Sequence, residues 1–270
     1  MSITIHPSAL VSPKADIGDN VTVGPYAVIE DDVVIGEGCA IHAFASVKQH
    51  TRMGRGNVIH SYALVGGIPQ DLKFHGEVTL LEIGDNNHIR EFSTLHRGTV
   101  NGKGTTRIGS NNLIMAYCHV AHDCTVGDFV VMTNGATLGG HVQLFDHVII
   151  GGLSAVHQFS RIGRHAFIGG MTGIGQDLPP YMLAVGSRAG IHGPNLVGLR
   201  RLKLSSSAIT AVRTAFRMIW HSDMPRREAL DKAAQEFADV PEVLEIVDFV
   251  RDSSRGVLPA ARTSEVKDQE

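Results

Sequence analysis

From Ile108 onward, every sixth residue is apolar: Ile108, Ile114, Val120, Val126, Met132, Leu138, Leu144, Ile150, Val156, Ile162, Ile168 and Ile174. Four positions further along each hexad the residue is mostly small or β-branched, as at Cys118, Cys124, Val130, Ala136, Val142, Val148, Ser154 and Ala166. A period of six fits neither an α-helix nor one long strand. It fits a chain that makes a short strand, turns a corner and repeats, the hexapeptide form of the parallel β-helix. Along a strand side chains alternate, so the aliphatic residue and the one two places before it both point inward. Three hexads then close a triangular coil, and residues roughly 18 apart lie above one another at the usual spacing of about 4.8 Å. The inner position nearest a corner must be small because the prism is narrow.

The same register runs from Ile5 through Val11, Ile17, Val23, Ile29, Ile35, Ile41, Val47, Met53, Ile59 and Val65. Its next two positions hold Asp71 and Glu77, which cannot line an apolar prism, so residues 66–78 should leave the coil as a loop. Register returns at Ile83, Ile89 and Leu95. A second break follows, since the step from Leu95 to Ile108 exceeds two hexads by one position, with the glycine-rich run Gly98-Thr99-Val100-Asn101-Gly102-Lys103-Gly104 between them. Residues 98–107 read as a second loop, and excursions from a rigid scaffold commonly carry function. The coil should end near Asp177-Leu178-Pro179-Pro180, because proline cannot donate to a ladder.

Beyond it, residues 181–204 read as an irregular connector. Ser205-Ser206-Ser207 can cap a helix carrying Ile209, Val212, Phe216, Ile219 and Trp220. A second helix is expected over 225–238, and a third from Pro241 to near Gly256. The polar tail after Ala260 reads as frayed. The division is therefore a β-helix over residues 1–190 and a C-terminal helical domain over 191–270.

Net charge is −3 and the pI is near 6.6, which does not suggest bulk nucleic-acid binding. The three cysteines, Cys39, Cys118 and Cys124, all fall on the small inner position and read as reduced core thiols. There is no basic, apolar start of a signal peptide and no membrane-length apolar run, so a soluble cytoplasmic protein without a transmembrane segment is expected. Between Asp177 and Asp223 there is no acidic residue, whereas Arg188, Arg200, Arg201, Lys203, Arg213 and Arg217 occur. Such a run is either a solvated face or a dock for a phosphate or an acidic protein.

Histidines crowd the middle coils: His96, His119, His122, His141 and His157. Stacking puts Asp123 below His141, His122 below Gly140 and His157 above Gly139, so these residues gather at one corner. An imidazole beside a carboxylate can act as a general base, the carboxylate fixing its tautomer. The same cluster admits two other readings, exposed corner histidines with no role and a set of metal ligands.

Four segments carry a resemblance: Gln70-Asp71-Leu72-Lys73, Leu95-His96-Arg97-Gly98-Thr99, His119-Val120-Ala121-His122-Asp123-Cys124-Thr125-Val126-Gly127, and Val156-His157-Gln158-Phe159. In order and spacing the chain resembles the UDP-N-acetylglucosamine O-acyltransferases of lipid A synthesis along essentially its whole length. The resemblance implies a left-handed β-helix, a homotrimer with active sites in clefts between subunits, and a cytoplasmic enzyme of the Gram-negative type. The implied reaction moves a 3-hydroxyacyl group from acyl carrier protein to the 3-hydroxyl of UDP-N-acetylglucosamine, with no cofactor and no metal. It assigns His122 as general base, Asp123 as its partner and the Gly140 N–H as oxyanion donor. Substrate contacts fall on Gln70, Asp71, Lys73, His96, His119, His141, His157 and Gln158, with Asn195 and Arg201 near the nucleotide. Gly170 matches the site that limits acyl length; glycine there leaves the groove open to the longer chains. The chain departs from the family pattern at Ser187, Val197 and Leu202, all near the expected nucleotide contacts.

Two neighbouring readings stand beside this one. The N-acyltransferases of the same pathway carry an added N-terminal domain, whereas here the register starts at Ile5. The β-helical zinc carbonic anhydrases would use some of the same histidines, and the loop pair Asp71 and Lys73 fits them less well than the transferase.

Overall fold

The computed structural model describes residues 3–261. The chain forms three sheets of eleven, nine and eight short strands, here sheets A, B and C, parallel throughout except for the last strand of A. Successive strands fall on successive sheets, so Leu113–Ile114 lies in A, His119–Val120 in B and Thr125–Val126 in C. Each strand then pairs with the strand one coil on, His119 with Thr137 and Val120 with Leu138. This is a β-helix of stacked triangular coils. Ile114, Val120, Val126, Cys118, Cys124 and Val130 are all buried, and each large aliphatic side chain taken from water contributes about 1.5–3 kcal/mol. The three cysteines are free and buried. Burial pushes the thiols of Cys118 and Cys124 up, to about 11 and about 12, which makes them packing residues rather than nucleophiles.

From Asn20 onward, most corners hold one residue in left-handed backbone geometry. Asn20, Tyr26, Asp32, Phe44, His50 and Tyr62 have φ between 52° and 64°, and Asp123 and His141 share it at 60° and 63°. A non-glycine residue held there costs roughly 1–2 kcal/mol. Stacking of corner side chains from coil to coil offsets this: Tyr26, Phe44, Tyr62, Phe92 and Tyr117 form a ladder with ring centroids 5.0–5.1 Å apart along the corner between sheets A and B.

Both breaks in the register leave the coil. Val58 pairs with His88, where unbroken stacking would have set it beside Gly76, so the first excursion inserts two hexads' length of chain. It occupies 68–79, between the strands Leu64–Gly67 and Leu80–Ile83. His88 pairs with Leu113 where unbroken stacking would have given Thr106, so the second inserts a hexad's length and one position more. Counting hexads from Leu95 makes this break look like a slip of a single position. The chain instead passes from sheet B to sheet C through a full loop at a single corner, between Thr94–His96 and Thr105–Ile108.

The coil does not end at the proline pair. Pro179 and Pro180 sit at a corner, Tyr181 takes the left-handed conformation, and Met182–Val185 adds one more parallel strand to sheet A against Phe167–Ile168. The chain then reverses at Gly186 (φ 114°), and Gly190–Pro194 pairs antiparallel with that strand. The expected irregular connector is therefore largely a hairpin, and residue 190 begins its second strand. Helices follow: α1 Leu196–Arg201, α2 Ser206–His221, α3 Arg226–Glu236 and α4 Pro241–Arg251. Ser205 caps α2, as expected, and Pro241 opens α4; the short α1 has no apolar period to betray it. Arg164 and Tyr181 bind Glu245 and so dock α4 onto the prism. The tail from residue 262 lies outside the described residues. Among the described residues no helix is long and apolar enough to cross a membrane.

Candidate active site

The corner between sheets B and C, just after the strand His119–Val120, brings His122, Asp123, Gly140 and His141 together. Asp123 is fully buried and His122 is partly exposed. His122 Nδ1 lies 2.8 Å from Asp123 Oδ2. An ionised carboxylate only accepts, so Nδ1 carries the hydrogen and Nε2 presents its lone pair. Burial alone would raise the Asp123 carboxyl; hydrogen bonds from His122, Thr99 and Lys103 outweigh it and hold the group below the usual carboxylate range. His141 packs edge-on against His122, with centroids 5.1 Å apart, and stacks on Phe159 at 4.4 Å. Burial lowers the His141 pKa.

Gly140 is glycine for a reason the hexads do not reveal. A Cβ there would lie 2.7 Å from His122 Cε1 and 2.8 Å from Nε2, so the vacant space is where the His122 ring rests. Among the described residues its N–H has no backbone partner, which leaves it free to face a developing oxyanion.

A second tier surrounds this corner on the same coil and on the coils below and above. His119 Nδ1 is 2.7 Å from Thr94 Oγ1. His96 is buried, stands edge-on to His119 at 5.0 Å, and is held to about 4 by that burial and by its neighbour. His157 and Gln158 are exposed on the coil above. Arg255 Nη2 reaches His157 Nδ1 at 2.8 Å, a contact between residues 98 apart in the chain that no local pattern announces. Asp71, Gln70 and Lys73 ride on the first excursion. Asp71 Oδ1 accepts from the Lys73 N–H at 3.0 Å, and Asp71 lies near enough to act electrostatically on His141. Gln70 and Lys73 are exposed.

Asn195 and Arg201 are elsewhere. They line a cavity of about 500 Å³ on sheet A with Phe129, Val131, His147, Ile149, His165 and Phe167. The Asn195 side chain is the N-cap of α1, accepting from the Gly198 N–H at 3.0 Å and donating to the His165 carbonyl at 3.0 Å. Val197 and Leu202 line the same cavity, whereas Ser187 lines another, of about 700 Å³, with His157, Arg188 and the segment 258–261. Gly170 is exposed at the A–B corner, above Gly152.

His122, Asp123 and His141 also offer ligand atoms within 4.8 Å of one another. The Asp123 oxygens, however, already accept from Thr99 N, Thr99 Oγ1, Lys103 N and His122 Nδ1. A metal ion would have to displace those donors, so the arrangement suits proton transfer better than ligation.

Comparison with known proteins gives the family. Residues 177–258 match the model of the second domain of UDP-N-acetylglucosamine O-acyltransferases, and residues 14–49 and 105–140 match that of the bacterial transferase hexapeptide repeat. An acyl-[acyl-carrier-protein]–UDP-N-acetylglucosamine O-acyltransferase of Burkholderia mallei is 46% identical over 198 residues, covering 72% of this chain and 76% of that protein. The crystal structure of a UDP-N-acetylglucosamine acyltransferase from Bacteroides fragilis superposes with a TM-score of 0.92 at 41% identity, covering 94% of this chain and 99% of that one. The Arabidopsis enzyme of that name superposes with a TM-score of 0.84 at 38% identity, covering 96% and 100%. The chain belongs to the UDP-N-acetylglucosamine O-acyltransferase family.

Proposed function

We propose that this protein transfers a 3-hydroxyacyl group from acyl carrier protein to the 3-hydroxyl of UDP-N-acetylglucosamine, the first step of lipid A biosynthesis, with His122 as general base. The observation that carries the reading is the His122–Asp123 pair beside a Gly140 N–H that has no backbone partner among the described residues. A sugar hydroxyl is a weak nucleophile. His122 Nε2 takes its proton as the oxygen attacks the thioester carbon, and Asp123 stabilises the imidazolium that forms. The carbonyl oxygen becomes an oxyanion facing the Gly140 N–H. When the intermediate collapses, the C–S bond breaks and the imidazolium returns its proton to the departing carrier thiolate. Asp71, Lys73, Gln70, His96, His119, His141, His157 and Gln158 would surround the two substrates. The basic residues Arg213 and Arg217, which line a cavity with His192 and His221, fit the acidic carrier.

The working unit is a homotrimer. His96 and His119 stand on strands of sheet B with His122 at its edge, whereas Asn195 and Arg201 flank sheet A, and sheets A and B meet at the A–B corner. A three-fold axis along that corner would bring sheet B of one copy against sheet A of the next. The exposed ladder Tyr26–Phe44–Tyr62–Phe92–Tyr117 supplies apolar surface along that line.

Turnover by His122→Ala tests the chemistry. A general base contributes roughly 10²–10⁴-fold, so kcat should fall by that factor while the protein stays folded at the assay temperature, since the ring lies outside the apolar interior. Wild-type turnover would remove His122 from the mechanism.

A further inference from the structure

The second excursion lies beneath the His122–Asp123 pair. The register that sets Arg107 beside Thr125 places Thr105, the residue that closes the loop, under Asp123. The added residues therefore enter at the corner that holds the fully buried Asp123 carboxylate. Resting on the general-base reading above, we propose that the loop 98–104 is an anion nest that positions Asp123 and, through it, His122, with Thr99, Gly102 and Lys103 as positioning residues for acyl transfer.

Three donors from this loop converge on one carboxylate. The Thr99 N–H lies 3.1 Å from each oxygen, Thr99 Oγ1 donates at 2.7 Å, and the Lys103 N–H donates at 2.8 Å. Thr99 is itself buried. A Cβ on Gly102 would stand 2.4 Å from Asp123 Cγ, so the loop can close on the carboxylate only with glycine there. Gly104 turns with φ 69°, and a Cβ on Gly98 would meet Thr105 N at 2.3 Å. The glycines of the motif thus serve the approach of backbone N–H groups to a negative charge, as in other nests. The loop is braced from below: Gly98 N–H donates to the Leu80 carbonyl and Leu80 N–H to that of Gly104.

The donors decide the state of the pair. Taking a carboxylate out of water favours its protonated form, and hydrogen bonds to the charged form oppose that. A protonated Asp123 would neither orient His122 nor steady its imidazolium. The left-handed backbone at Asp123 is fixed from its other end, where its N–H donates to Thr106 Oγ1 at 2.8 Å. The loop therefore sets both the charge of Asp123 and the direction in which its carboxylate faces.

The experiment compares Thr99→Val, Thr99→Ser and His122→Ala in the intact protein, with steady-state kinetics across pH and thermal melts. A hydrogen bond to a charged group is commonly worth about 10- to 100-fold. Thr99→Val should lower kcat by about that factor with both KM values nearly unchanged, and move the acidic limb of the pH profile to higher pH. Thr99→Ser should restore both, and Thr99→Val should add no further loss in the His122→Ala background. If His122→Ala abolishes turnover while Thr99→Val keeps the wild-type rate and profile, the nest proposal is overturned and the general-base reading survives. If His122→Ala retains turnover, the general-base reading fails first. A loss in Thr99→Val that follows only the fraction unfolded, with no shift in the pH limb, also overturns the nest.

Discussion

Gly170→Met should shorten the acyl chain that this protein prefers, and the coil spacing says by how much. The A–B corner nearest the catalytic pair in sequence is at Tyr117. Backbone hydrogen bonds carry the same corner upward through Gly135, Leu153 and Met171, with Met171 N–H donating to the Gly152 carbonyl. Three coils separate Tyr117 from Met171, a rise of about 14 Å at the inter-strand spacing. An extended hydrocarbon advances about 1.25 Å per carbon, given C–C bonds of about 1.5 Å. The climb alone therefore takes about eleven carbons from the level of His122, with the step across sheet B in addition, so only the longer donors reach Gly170. A Cβ at 170 would meet nothing closer than the Gly152 carbonyl oxygen at 3.4 Å, so the substituted protein should fold normally and direct the rest of the side chain outward. Three bonds of methionine cover about three or four methylenes, each worth about 0.8 kcal/mol when buried. The long donor should then lose about 3 kcal/mol against one about four carbons shorter, or roughly 10²-fold in relative kcat/KM. The assay is kcat/KM over a graded series of acyl carrier protein donors with UDP-N-acetylglucosamine. A ratio of long to short donors equal to wild type would refute the groove, and so would an equal loss at every length.

Two further outcomes test the assembly and the buried histidines. If the site is shared between copies, His122→Ala and Arg201→Ala, each inactive alone, should recover part of the wild-type turnover when co-expressed and reassembled, because some clefts then draw both intact halves; mixed trimers as inactive as their parents would refute the shared cleft. His96 is neutral in the fold, its pKa held to about 4 against 6.5 for the free side chain. Between those values the unfolded chain binds the extra proton, so stability falls as pH drops from about 6.5 towards 4, by up to about 3 kcal/mol from this residue. Chemical denaturation at pH 7.5 and 5 should show this loss, and His96→Asn should flatten it; equal slopes in both proteins would remove His96 as the cause.

The prism was legible because its constraint is periodic. A narrow apolar interior with a strand period of two admits few residues at Ile114, Val120 or Cys124, and those choices recur every six positions. The excursions were legible only as interruptions. Asp71 and Glu77 could not point inward, which revealed the first loop, but counting alone undersized the second. The hairpin Met182–Pro194 escaped because a proline pair looks like an ending when it is in fact a corner. Gly140 enters from the sequence as the oxyanion donor that the resemblance implies, and the structure adds that its missing side chain makes room for the His122 ring. Arg255 and Thr99 were invisible as site residues. Their partners lie 98 and 24 residues away, and neither obeys the hexad.

What the corners add is the reason such a plain scaffold can host chemistry. Within a strand, the ladder takes up the backbone N–H groups and the outward side chains stand in line. At a corner the chain turns, one N–H is released, and a residue such as Asp123 is forced into the left-handed region, where its carboxylate folds back towards the preceding His122. That geometry is strained, and strained positions persist only where their surroundings over-determine them. At Asp123 the surroundings are the Thr106 hydroxyl, the loop donors and the His122 ring. Preorganisation of this kind needs no motion on binding, so the loss expected from Thr99→Val should appear in the chemical step and leave substrate affinity nearly untouched.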